Sequence, residues 1–74
     1  MGKYAALVGK RVDVRYRAEN ISHQVKGRLS SDSGTSIFIE DRFSQDGREK
    51  TIRVEVPYEF ILRVLEIPEE HPSV

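Results

Sequence analysis

Cysteine and tryptophan are both missing from this 74-residue chain. Without cysteine there is no disulfide to staple a small fold and no thiolate ligand for a structural zinc site. Its two histidines, His23 and His71, lie far apart in sequence and do not suggest a ligand pair, so neither a metal nor a cofactor is expected. Apolar residues make up 38% of the chain, below the usual share for a globular domain. No apolar run approaches the roughly 18 residues that a membrane-spanning helix needs. The opening MGKYAALVGKR has no signal-peptide core, and Ala6 stands where a myristoylation signal requires Ser or Thr. These absences lead us to expect a cytoplasmic protein with no membrane attachment.

A chain this short holds one core. Ordering it costs roughly 1.5 kcal/mol per residue, and with few apolar side chains and no cross-link the domain needs further support. Self-association is the expected source. Formal charge is zero, yet residues 1–65 carry all 12 Lys and Arg but only 9 of the 12 Asp and Glu. The division expected is a mildly basic domain over 1–67 and a mobile acidic tail over 68–74.

Alternation of apolar and polar residues is the strongest pattern present. In the run 11–17 (RVDVRYR), Val12, Val14 and Tyr16 point one way and Arg11, Asp13, Arg15 and Arg17 the other, which predicts a half-buried strand with a cationic outer face. The run 21–30 places Ile21, His23, Val25, Gly27 and Leu29 inward and Gln24, Lys26 and Arg28 outward. A glycine inside such a run marks a bend or a close backbone approach. Ile37 and Ile39 face inward in 36–43, and Ile52, Val54 and Val56 do so in 49–56. The turns are predicted at 18–20, at 31–35 around Gly34, and at Asp46-Gly47, a favoured hairpin pair. Lys3 to Val8 reads as a single helical turn, and Pro57-Tyr58-Glu59 as a 3₁₀ turn. The last strand, 60–67 (FILRVLEI), is apolar on both faces, with Phe60, Leu62 and Val64 on one and Ile61, Leu65 and Ile67 on the other. Such a strand is central in its sheet or covered by a partner.

No catalytic constellation emerges, and no enzymatic activity is expected. The sequence lacks a nucleophile elbow, a phosphate-cradling glycine loop and clustered histidines. Glu40 and Asp41 are adjacent, so on a strand they point to opposite faces and make a poor acid–base couple. Binding is better supported. Arg15, Arg17, Lys26 and Arg28 fall on the outer faces of neighbouring strands, and Phe38, Phe43 and Tyr58 are candidate rings. Cations that track phosphates, beside rings that stack on bases, are what a single-stranded nucleic acid requires.

Residues 25–41 (VKGRLSSDSGTSIFIED) resemble the first motif of the Sm-like family, matched by Val25, Gly27, Leu29, Asp32, Ser36, Ile37, Ile39 and Asp41. Residues 7–14 look like the family's entry into its first strand, and 56–64 echo its second motif. The resemblance implies an all-β fold, a small five-stranded SH3-like or Sm-like antiparallel barrel. It also implies ring assembly, in which the fourth strand of one subunit pairs with the fifth of the next, and RNA binding near Asp32, Ser36 and Tyr58. Ser36 replaces the family's usual base-contacting Asn, and Pro57-Tyr58 replaces Arg-Gly. The scaffold matches better than the site does.

The function expected is a non-enzymatic RNA-binding module that forms homo-oligomers. The alternative is an SH3-like protein-interaction or assembly module without nucleic acid. The expected nucleic-acid contacts are Arg15, Arg17, Lys26, Arg28, Asp32, Ser36 and Tyr58. The expected oligomer interface comprises Phe38, Phe60, Ile61, Leu62, Val64 and Leu65.

Overall fold

A computed structural model describes residues 2–68; six of the seven residues expected to form the acidic tail lie outside that range. Five antiparallel strands follow one another: β1 (Arg11–Ala18), β2 (Ile21–Asp32), β3 (Ser36–Gln45), β4 (Arg48–Pro57) and β5 (Ile61–Glu66). One 3₁₀ turn, Ala5–Leu7, precedes β1, and another, Tyr58–Phe60, joins β4 to β5. The sheet order is β4-β3-β2-β1-β5. Among the described residues no ladder joins β4 to β5, so the sheet is open and these two strands are its edges.

Local chemistry sets the reversals. Glu19 and Asn20, with φ of 53° and 64°, form a two-residue loop between β1 and β2. Asp46 and Gly47, at 54° and 76°, do the same between β3 and β4. Left-handed backbone at both loop residues matches the twist of the flanking strands. Among the described residues, six side chains with 0% exposure make the core: Val12, Val14, Leu29, Ile37, Ile39 and Val56. They come from four strands at every second position, as the alternation requires.

One glycine lets β2 serve two partners. Its first part pairs with β1, from Ile21↔Ala18 to Arg28↔Arg11, and its last part pairs with β3, from Arg28↔Glu40 to Asp32↔Ile37. Gly27 sits at the changeover, where an added Cβ would lie 2.4 Å from the carbonyl oxygen of Glu40 and 3.0 Å from a methyl of Ile39. Only a residue without a side chain permits that approach. A register shift between Leu29 and Ser31 bends β2 further.

Three expectations about exposed faces are corrected. Ile21, expected inward at the start of β2, is 56% exposed, and His23 is exposed as well. Ile52 is not in the core but 49% exposed. The β2–β3 pairing reaches only to Arg28↔Glu40, so the hairpin from Asp41 to Ile52 extends past the layer that would have covered it. In β5 the strict alternation fails. Tyr16 pairs with Ile61 and Arg15 with Arg63, so Leu62 is an extra residue in the ladder. The half-buried positions are therefore Ile61, Val64 and Ile67, while Leu62 and Leu65 are 61% and 44% exposed.

Gly27→Ala must push β3 away or distort β2, and overpacking of this kind costs about 1–3 kcal/mol. Urea unfolding followed by circular dichroism should show stability lowered by that amount. An unchanged midpoint would mean that the two strands can part at no cost.

Candidate nucleic-acid interface

The residues expected to contact nucleic acid fall into two sets, which the fold places differently. Asp32, Ser36 and Tyr58 gather around the β2–β3 turn. The sequence Asp32-Ser33-Gly34-Thr35 makes that turn by local hydrogen bonding: the Gly34 amide donates to Asp32 Oδ1 at 2.9 Å, and the Ser36 amide to Ser33 Oγ at 3.1 Å. Gly34, at φ 95°, supplies the left-handed residue. The β4–β5 connection docks here, since the Tyr58 amide donates to the Thr35 carbonyl at 2.9 Å.

The Asp32 carboxylate is the hub of this cluster. It accepts the Tyr58 hydroxyl on Oδ1 and the Tyr4 amide on Oδ2 at 2.8 Å. The Lys3 amide in turn donates to the Tyr58 hydroxyl oxygen at 2.9 Å, and the rings of Tyr4 and Tyr58 meet edge to face at 5.5 Å. One carboxylate therefore joins the N-terminal segment, the β2–β3 turn and the β4–β5 turn. Ser36 is only 6% exposed. All three residues are committed to the fold.

The charges of this clamp are displaced in opposite directions. Desolvation pushes the Asp32 carboxyl up, but the bonds it accepts from the Tyr58 hydroxyl and from the Gly34 and Tyr4 amides outweigh that, so its pKa lies below the ordinary value. Partial desolvation and the adjacent Asp32 carboxylate, which accepts its proton, raise the Tyr58 phenol above its ordinary value.

The four predicted cations lie on the outer face of the β1–β2 ladder, all exposed. They occupy four successive rows: Arg11↔Arg28, Asp13↔Lys26, Arg15↔Gln24 and Arg17↔Ser22. Arg28 donates to the Gly9 carbonyl at 2.7 Å and so braces the entry to β1. Pairing across the sheet shows which residues two further cations face. Arg63 of β5 stands directly opposite Arg15, and Arg53 of β4 opposite Glu40. Arg53 also caps the Phe38 ring, with its guanidinium 5.0 Å from the centroid. Asp13 is engaged by Gln24, whose side-chain nitrogen donates to both carboxylate oxygens at 3.0 and 2.9 Å.

Of the expected interface residues, Phe38 is half-buried beneath Arg53, and Ile61 and Val64 pack against the core. Phe60, Leu62 and Leu65 are exposed. Arg63 could be found only once its partner was known, because no periodicity within 60–67 shows which β1 residue it will face. The Tyr4 contact left no sequence signal, since it uses a main-chain amide. Among the described residues no cluster of three or more potential metal ligands occurs, and no helix is long and apolar enough to cross a membrane.

The clamp makes stability depend on pH at both ends. Asp32, with its pKa depressed in the folded state, contributes stability that is present above the unfolded carboxyl value of about 4 and lost as pH falls through the lower folded value. Tyr58, with its pKa raised, contributes stability that is present below about pH 10 and lost as pH rises through the folded value. Asp32→Asn should flatten the acid limb of a plot of unfolding midpoint against pH, and Tyr58→Phe the alkaline limb. Limbs unchanged in both variants would show that the clamp contributes nothing measurable.

Compared with known proteins, no family model, curated protein or solved structure matches the chain.

Proposed function

We propose that this chain is a non-enzymatic nucleic-acid-binding module that self-assembles, as Sm-like barrels arranged in a ring. The observation that carries the reading is the open sheet. Its edges are β4 and β5, the two strands that the family resemblance pairs between neighbouring subunits. An unpaired edge is a template for another strand, and exposed apolar side chains accompany both: Ile52 on β4 and Leu65 on β5. Closing each sheet with the next copy's edge would bury these groups and complete the barrel. It would also add to a core of six fully buried side chains. Nucleic acid is favoured as the ligand because the outer face carries Arg15, Arg17, Lys26 and Arg28 together with Arg63.

A second reading, an SH3-like protein-interaction module, draws on the clamp. The Tyr58 hydroxyl and the Asp32 carboxylate bond to each other, and Ser36 is buried, so the positions that the resemblance assigns to a nucleotide are occupied internally. Binding would then fall to exposed edges and apolar side chains.

Light scattering across a dilution series separates these possibilities at the level of assembly. A stable mass of about five to seven times the 8.5 kDa of one chain is expected, and Leu65→Asp should lower it. A monomer at all concentrations would overturn the ring. Titration with oligo-U and oligo-A at low salt, where phosphate contacts are strongest, tests the ligand. Absence of binding would leave the protein-interaction reading standing.

A further inference from the structure

On the outer face of β1, two of the strand's arginines face another arginine. Arg15 stands directly opposite Arg63 of β5, and Arg11 opposite Arg28 of β2. Like charges in directly opposed positions destabilise a sheet. At the second pair, Glu40 completes the row beside Arg28. At the first, the row reads Arg63–Arg15–Gln24, and the next row adds Arg17 opposite Ser22. Neither row contains a carboxylate. The nearest acids along β1 are Asp13, whose oxygens both accept from Gln24, and Glu19 in the following turn. Among the described residues, no hydrogen bond or ion pair engages Arg15, Arg17 or Arg63.

A shallow hollow of about 330 Å³ lies at the same place, lined by Arg15, Ser22, His23, Gln24 and Leu62. Leu62, the extra residue of β5 and 61% exposed, supplies an apolar surface. Ser22 offers a hydroxyl. Gln24, its nitrogen held by Asp13, offers a carbonyl oxygen as acceptor.

Resting on the nucleic-acid reading above, we infer that the Arg15–Arg17–Arg63 cluster and this hollow form a binding site for single-stranded nucleic acid, separate from the clamped loop of Asp32, Ser36 and Tyr58. The three guanidinium groups contact successive phosphates, and a splayed base rests on Leu62 with its edge toward Ser22 and Gln24. Guanidinium planes also stack on bases, which lets the site work with few exposed rings. A duplex fits poorly, because its bases are not available to the hollow. The β3–β4 hairpin, a two-stranded ribbon of the kind that enters a groove, is charge-balanced beyond β2, with Arg42, Arg48 and Lys50 against Asp41, Asp46 and Glu49. The mutual repulsion of Arg15 and Arg63 is relieved when a phosphate lies between them.

The test uses the full chain and three fluorescein-labelled probes: ten-nucleotide oligo-U, ten-nucleotide oligo-A and a ten-base-pair duplex, each titrated from low to moderate salt. Arg15→Gln with Arg63→Gln should weaken single-strand binding about 10-fold at low salt. The slope of log affinity against log salt should fall by about 1.4, or about 0.7 for each phosphate no longer neutralised. The unfolding midpoint of this variant should equal or exceed that of the parent, because a like-charge pair is removed. Tyr58→Phe should leave binding unchanged. If the parent binds and the double variant binds equally well, the site is elsewhere and only this inference falls. If both variants of Arg15/Arg63 and Tyr58 behave as stated but the duplex binds as tightly as the single strands, the single-strand assignment is overturned. If the parent binds none of the probes, the inference falls together with the nucleic-acid reading itself.

Discussion

A missing side chain governs this fold. At Gly27 the backbone of β2 comes so close to the carbonyl of Glu40 that no Cβ fits between them. That approach lets one strand leave the β1 ladder and enter the β3 ladder within a few residues. The sheet consequently curls, and Val12 and Val14 on one side reach Ile37, Ile39 and Val56 on the other, with Leu29 between. A flat sheet of the same sequence would leave these side chains on one open face. The bend turns a half-buried face into a core.

The curl alone does not hold the ends in place. The Asp32 carboxylate does so by gathering the Tyr58 hydroxyl with the Tyr4 and Gly34 amides. Each bond is to a charged acceptor and is therefore stronger than a neutral one. A single ionised group thus ties together segments more than 50 residues apart in sequence, as the Lys3–Tyr58 contact shows. The cost is that the tyrosine is no longer a mobile ring presented to a ligand. Both groups are held within the fold.

That outer face and the sheet edges work against the stability of an isolated chain. Arginines oppose arginines across β1, and Leu62 and Leu65 stand exposed on the last strand. In the proposed reading, another sheet edge would cover Leu65 and a polyanion would neutralise the cations. The cations and the exposed leucines share one strand pair, β1 and β5.

Period-two alternation made the strands legible from sequence, and with them the inward positions Val12, Val14, Ile37, Ile39 and Val56, because a half-buried strand must alternate. The turns at Glu19-Asn20 and Asp46-Gly47 and the bend at Gly27 were likewise visible, since backbone sterics act locally. Tertiary structure alone decided the rest. Ile52 alternates correctly yet is exposed, because coverage depends on how far β2 extends alongside β3. The faces of β5 depend on a bulge set by its pairing with β1, not by its own pattern. Asp32 and Tyr58 became a clamp, and Arg63 joined Arg15, because those contacts span long stretches of chain and arise only once the sheet has curled. Local sterics and periodicity act within a few residues and can be read along the sequence; which distant groups meet is a property of the path of the whole chain.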